Sequence, residues 1–392
     1  MVFCGYISKK IYIIAIITSK MIDRQLENVI KSRINSGKAI VLLGPRQTGK
    51  TTLLTKIASE TGDFLLLDCD EIFIRERLED ANFENLKQLV SSHNLVFIDE
   101  AQRVNNIGLS LKIITDRIKS VQLLVSGSSS LELANEINEP LTGRKWEYLL
   151  LPISWYEFHS HFGYLKARQQ LEQRLIYGMY PDVINQTGNE EAVLKQLSSS
   201  YLYKDLLTIQ SIRKPELLSK LLKALALQLG NEVSNNELAN LLGVSKDTIA
   251  SYINLLEKAF IIFRLEPLSR NLRNEISSNR KIYFYDNGIR NALISNYNPL
   301  TLRQDTGVLW ENFLISERYK YLMNKQISAN TYFWRTTQQQ EIDYIEERGG
   351  KLYAYEFKWN VKANTRFSKT FIQAYHSEQH IVDKGNFEQF LL

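Results

Sequence analysis

The run Gly44-Pro45-Arg46-Gln47-Thr48-Gly49-Lys50-Thr51 fits G-x-x-x-x-G-K-[ST] at every position. It follows the apolar run Ala39–Leu43 and opens a helix-forming segment, Lys50–Ala58, that continues through Thr52. Phosphate chemistry calls for this arrangement. Glycines let backbone N–H groups converge on phosphate oxygens, and a helix N-terminus adds positive potential. Lys50 is expected to reach the β- and γ-phosphates and Thr51 to ligate Mg²⁺. Further along, Leu95-Val-Phe-Ile-Asp99-Glu100 places two acids at the end of a four-residue apolar run. This strand is expected beside the first one, with Asp99 on the metal and Glu100 orienting and deprotonating a water. Ser126 and Ser128 end the run Val121–Val125. They read either as contacts to the γ-phosphate or water, or as a Ser/Gly turn. Arg144 reads either as an arginine finger, in cis or on a neighbouring subunit, or as a salt-bridged surface residue.

A second constellation lies near the C-terminal end. Asp343 sits in an alternating stretch, Glu341–Ile345, and Glu356 and Lys358 sit two apart on the following strand. Period-2 geometry puts Glu356 and Lys358 on one face. Asp343 and Glu356 could hold Mg²⁺, with Lys358 positioning a water. The spacing alone is equally that of a solvated strand face.

The elements that must position these groups are of two kinds. The first half alternates apolar runs with helical segments, which predicts an α/β fold with a parallel sheet covered on both faces. Residues 155–230 read as helices. Strands return at Lys281–Tyr285, Tyr332–Arg335, Glu341–Glu346 and Leu352–Phe357, with a helix at Gly307–Leu322. Between them, residues 231–270 have helix-turn-helix spacing. Ser234 and Ser245 can cap two helices, Gly243 marks the turn, and Phe260–Leu265 reads as a wing strand. Its second helix could present Lys246, Thr248, Ser251 and Tyr252 to DNA, although Asp247 stands among them. The alternative is a unit used for packing. Arg264, Arg270, Arg273, Arg280 and Lys281 form the better basic cluster.

Composition sets the limits. The chain has 392 residues, 44% hydrophobic and 23% charged, which excludes disorder as its main state. Two cysteines, Cys4 and Cys69, form no metal or dithiol pair and suit a reducing cytoplasm. A net charge of +5 permits nucleic-acid binding without arguing for it. No segment has the roughly 18 apolar residues of a membrane span. Residues 1–20, with the short apolar run Ile11–Thr18, read as an extension ahead of Met21.

Several segments together carry a resemblance: "LLGPRQTGKTTLL", "LVFIDEAQRV", "LLVSGSSSLEL", "LTGRKWEYLLLPISWYEF", "YGMYPDVI" and "YLYKDLL". From about residue 21 onward the chain resembles prokaryotic AAA-type ATPases that carry a C-terminal domain of unknown function with a nuclease-like fold. The resemblance implies ATP and Mg²⁺ as cofactors and a P-loop domain over 21–160. It also implies a helical linker over 161–230, a winged helix over 231–270 and a restriction-endonuclease-like α/β domain over 271–392. It further implies Glu311, Asp343 and Glu356 as a metal set with Lys358 beside them. The expected function is a cytoplasmic, Mg²⁺-dependent ATPase coupled to the C-terminal module. DNA, a protein partner and a homo-oligomer are the partners expected. The alternatives are an ATP-regulated DNA endonuclease and a nucleotide switch that binds a partner protein.

Overall fold

Five strands run parallel in the first half of the chain: β1 Ala39–Leu43, β2 Leu65–Asp68, β3 Leu95–Asp99, β4 Gln122–Gly127 and β5 Lys145–Leu149, in the order β2-β3-β4-β1-β5. This is seen in a computed structural model that describes residues 21–90, 92–128, 137, 139–201, 215–269, 280–336, 338–361 and 367–392. Period-2 alternation divides the apolar residues between two faces. Val41, Val96, Ile98 and Val125 pack with Leu111 and Ile114 of the helix Ile107–Arg117. Ile40, Leu42, Phe97 and Leu124 pack with Leu26 and Ile30 of Leu26–Lys31 and with Leu54 and Ile57 of Lys50–Thr61. The parallel sheet covered on both faces is therefore present.

Two details differ from the sequence-based expectation. First, β3 does not lie beside β1. Strand β4 pairs with both and separates them. Apolar runs identify buried strands but not their order, which follows from the crossover of the helix Ile107–Arg117. Second, β5 pairs with β1 along its length but is half-exposed at the sheet edge. Its sequence, Lys-Trp-Glu-Tyr-Leu, has no apolar run to announce it.

A second sheet of seven strands occupies the rest of the chain. Its members are β6 Glu232–Val233, β7 Ile262–Pro267, β8 Arg280–Phe284, β9 Asn330–Arg335, β10 Glu341–Arg348, β11 Lys351–Lys358 and β12 Ser377–Asp383. The order is β12-β11-β10-β9-β7-β8-β6. Strands β6, β8 and β7 are antiparallel, β7 joins β9 in parallel, β9-β10-β11 is an antiparallel meander, and β12 runs parallel to β11. Gly349 and Gly350, both at positive φ, make the tight β10–β11 turn. The sheet thus passes without a break from the middle of the chain into its C-terminal part.

Between the sheets lie the expected helices. Trp155–Phe162 begins with a full capping box between Ser154 and Glu157. Asn235–Leu242 and Lys246–Lys258 are capped by Ser234 and Ser245, and Gly243 ends the first in the left-handed conformation. On the second of these helices Tyr252 is buried, so it cannot face DNA as expected. Leu241, on the first, is exposed. Among the described residues no helix is long and apolar enough to cross a membrane. Residues 1–20, most of "YLYKDLL", Arg270 and Arg273 lie outside the described residues.

The longest helix, Thr306–Asn324, is fastened at its start by a buried ion cluster. Asp305 receives Arg290 (2.5 Å) and both Arg303 donors (2.8 Å each), while Arg290 also bonds the carbonyl of Ala226 (2.8 Å). Burial alone would raise the Asp305 carboxyl, but the two guanidinium groups outweigh it and bring it down to about 2. A carboxylate whose folded value lies below its unfolded one stabilises the protein above the unfolded value and ceases to do so as pH falls toward the folded one. Asp305→Asn should therefore cost on the order of 3 kcal/mol near neutral pH, because it leaves two buried cations unmatched. In urea titrations the gap between the two proteins should close between roughly pH 4 and pH 2. A gap that does not change with pH would show that the carboxylate charge is not what holds this corner.

Candidate functional site

The loop Gly44–Gly49 leaves the C-terminal end of β1 and turns into the helix Lys50–Thr61. Its glycines are required by geometry. A Cβ on Gly44 would stand 2.2 Å from the carbonyl oxygen of Leu150, and Gly49 caps the helix at φ 91°. Gln47 also adopts the left-handed conformation (φ 59°). Thr48 closes the loop through a hydrogen bond from its hydroxyl to the Pro45 carbonyl (2.9 Å). Lys50 is buried, and its ammonium lies across the loop, donating to the carbonyls of Gly44 and Pro45 (2.9 Å each).

The acids converge on the same end of the sheet. Although β4 separates β3 from β1, Asp99 reaches across it. Its Oδ1 accepts from Thr51 Oγ1 (3.2 Å) and from the Ser126 hydroxyl on β4. Ser126 in turn accepts the Glu100 N–H (3.2 Å), so one serine orients both acids. Burial raises the Asp99 carboxyl above the usual carboxylate range, and the Glu100 charge adds to this. The bonds from Ser126 and Thr51 oppose it. A cation at this point would relieve that penalty. Thr51 and Asp99 thus fit a Mg²⁺ pair. Glu100 sits at φ 53°, a conformation that costs a non-glycine residue roughly 1 kcal/mol. Its carboxylate accepts from the amide of Gln102, which also donates to Ser128 Oγ (2.9 Å). Gln102 was not legible as a site residue. Only the left-handed turn at Glu100 brings it back to the site.

Beside the loop is a cavity of about 500 Å³. Its floor is Gln47, Thr48, Gly49, Thr52 and Leu53; Met21, Ile22 and Ile153 supply apolar wall, and Pro181, Asp182 and Asn185 close one side. Arg24 stands at this cavity. Its guanidinium donates to the carbonyls of Thr48 and Leu151 (2.7 Å each) and to Glu157 Oε1 (3.2 Å). Arg24 belongs to no motif and Asp182 lies in the segment "YGMYPDVI" without a role assigned to it, so sequence reasoning missed both as site residues.

The other expected residues fall elsewhere. Arg144 precedes β5, and its carbonyl bonds the N–H of Ala39 at the start of β1. That is the end of the sheet opposite the loop, and Asp116 holds the guanidinium (2.7 and 2.9 Å). It does not reach the loop of its own chain, and the cis finger is corrected to a salt-bridged residue. In the C-terminal sheet, Asp343 on β10 and Glu356 on β11 face each other, and Asp343 Oδ2 accepts the Phe357 N–H (2.7 Å). Burial, then Glu311 and Glu356, push the Asp343 carboxyl well above the usual range. The three acids are thus drawn into one neighbourhood with Lys358, which bonds Glu356 (3.0 Å). Yet among the described residues no group of three or more His, Cys, Asp or Glu side chains is arranged to hold a metal ion. The expected metal set Glu311, Asp343 and Glu356 is corrected accordingly. The basic cluster is corrected as well. Arg264 bonds Asn254 (2.6 Å) and Glu257, Arg280 forks onto Glu266 (2.7 Å), and Lys281 is buried.

Comparison with known proteins matches three stretches of the chain. Residues 36–159 match a family model described as an AAA domain, while residues 168–300 and 306–391 match two domains of unknown function (DUF8612 and DUF4143). An uncharacterized protein of Mycobacterium tuberculosis, Rv2008c, is 26% identical over 334 residues, 84% of this chain and 72% of that one. MJ1544 of Methanocaldococcus jannaschii, also uncharacterized, is 26% identical over 352 residues (83% and 75%). An uncharacterized Haemophilus influenzae protein is 24% identical over 373 residues (88% and 89%). Among solved structures, the Walker-type ATPase of Pyrococcus abyssi gives a TM-score of 0.49 at 16% identity, over 70% of this chain and 96% of that one. With a phosphate loop, paired acids and a five-stranded parallel sheet, residues 36–159 have a P-loop architecture and are similar to the AAA domain family, and the two stretches that follow are similar to domains of unknown function.

Proposed function

We propose that the protein is a Mg²⁺-dependent ATPase that passes its nucleotide state to the C-terminal half of the chain. The observation that carries this reading is the convergence of Lys50, Thr51, Asp99, Ser126 and Glu100 on one end of the sheet, beside a cavity of about 500 Å³ that suits a purine base. Lys50 would leave the loop carbonyls for the β- and γ-phosphates. Thr51 and Asp99 would hold Mg²⁺, which would supply charge neutralisation to the phosphates. Glu100, held by Gln102, would accept a proton from the attacking water.

Coupling rests on contacts that leave the loop. From Thr48 the path runs through Arg24 to Glu157, which also accepts the N–H groups of Gln25 and Ser154 (2.8 Å each). The neighbouring Trp155 N–H bonds Glu317 (2.6 Å), and Lys320 bonds the Ile153 carbonyl (3.1 Å). Glu317 and Lys320 lie on the helix Thr306–Asn324. About 9 Å back along that helix, Glu311 touches the second sheet.

The output is read as contact with a protein partner. The order helix Pro215–Leu227, β6, two helices, β7, β8 supports the winged-helix reading. Its exposed face carries Lys246, Asp247, Ser251, Asn254 and Lys258, which offers two cations against one acid. Such a face supplies little of the phosphate attraction that dominates DNA affinity.

Three measurements test these statements. Lys50→Ala should lose most affinity for a fluorescent ATP analogue, and unchanged affinity in a folded variant would end the phosphate-loop reading. Glu100→Gln should bind ATP normally while turnover falls by about 10²-fold or more. Turnover within a factor of about two of the parent protein would assign the water to another group. Amide exchange in β8, β10 and β11 should slow when the analogue binds, and Arg24→Ala should abolish that slowing. If the slowing survives, the coupling does not pass through Arg24.

A further inference from the structure

Lys281 occupies a place where lysine is rarely found. It lies in β8 with its side chain 1% exposed, and a fully buried lysine is seldom tolerated unless paired. Its ammonium bonds Glu311 (3.1 Å) and forms an ion pair with Glu341. Tyr283, two residues on and therefore on the same face, donates its hydroxyl to the same Glu311 oxygen. Glu341 is also approached by Arg335 (3.9 Å). On the far side of the cluster, Lys358 holds Glu356, and the Phe357 N–H holds Asp343. Four carboxylates thus meet three cations, all of them supplied by the chain.

The source of the central cation is informative. The carboxylates belong to residues 306–391, whereas Lys281 belongs to the preceding matched unit, residues 168–300. Strand β7 lies between β8 and β9, and the lysine spans it, its ammonium 5.5 Å from the Phe333 ring on β9. Mg²⁺ demands near-octahedral oxygen ligation at about 2.0–2.1 Å. An ammonium needs only three acceptors at hydrogen-bond distance. The carboxylates are set for the second geometry.

We propose that Lys281 is the resident cation of this carboxylate cluster, so that the middle unit supplies the charge a divalent ion would otherwise bring and the cluster locks two units together instead of holding metal. Glu311, Glu341 and Glu356 have ion-pair partners without metal, Asp343 keeps the Phe357 N–H, and the seam between the units is closed by ion pairs as well as by the continuous sheet. This holds whether or not the first domain hydrolyses ATP.

Counting bound Mn²⁺ by electron paramagnetic resonance on the full, nucleotide-free chain tests the proposal, since the phosphate-loop end contributes equally in every variant. The parent protein and Asp343→Asn should bind the same number of ions. Lys281→Met, which removes the ammonium and leaves the carboxylates, should gain one ion and lose it again when Asp343→Asn is added. A Mn²⁺ ion in the parent protein that disappears in Asp343→Asn would overturn the proposal, as would a folded Lys281→Met that gains none. Circular dichroism reports whether Lys281→Met folds. If it does not, the comparison of the parent with Asp343→Asn decides alone.

Discussion

One guanidinium, that of Arg24, gathers groups from three parts of the chain: the carbonyl of Thr48 in the phosphate loop, the carbonyl of Leu151 beyond β5, and the carboxylate of Glu157. Glu157 is buried, and so is nearly all of the arginine side chain. A buried charge of this kind is tolerable only while its partner stays in place, and removing one member of such a pair costs about 3–5 kcal/mol. The loop that binds phosphate therefore cannot move independently of the segment 151–157. That segment is in turn held by Glu317 and Lys320, which lie on the long helix of the C-terminal half. The separation of the chain into a P-loop end and a C-terminal half is real in sequence but weak in structure.

What the sequence made legible follows from where each constraint is written. The phosphate loop was readable because its requirements fall on residue types: a glycine where any Cβ would strike Leu150, a glycine at positive φ, and a lysine at the helix start. The strands carrying Asp99 and Ser126 were readable as apolar runs, and the capping serines 154, 234 and 245 sit where helices begin. Strand order was not readable, because β4 could stand on either side of β1 with the same residues. Edge strand β5 was lost for lack of an apolar run. Lys281 looked like a surface cation because its partners, Glu311 and Glu341, lie 30 and 60 positions downstream and only the folded sheet brings them together.

Tyr252 and Arg264 failed as DNA-facing residues for a related reason. A helix face cannot be assigned from polarity when the side chain is amphipathic. Tyr252 buries its ring, and Arg264 turns inward to Glu257. Both choices strengthen the packing of the helix Lys246–Lys258 against β7 and remove the groups that a phosphate backbone would require.

The two polar clusters of the molecule differ in how their charges are balanced, and this separates their roles. At the end of the five-stranded sheet, Asp99 is buried with hydroxyl partners, Thr51 and Ser126; burial and Glu100 raise its carboxyl, and a cavity opens beside the loop. Such a site gains by admitting a cation. At the seam of the seven-stranded sheet, Glu311 and Glu341 have Lys281 and Glu356 has Lys358. That site would have to break ion pairs to admit one. The first cluster is thus balanced by hydroxyl groups, while at the second Glu311, Glu341 and Glu356 are balanced by lysines of the chain itself. The long helix Thr306–Asn324 bonds the segment 151–157 at Ile153 and Trp155 and the seam at Lys281, so the surroundings of the phosphate loop and the seam are joined through one rigid element.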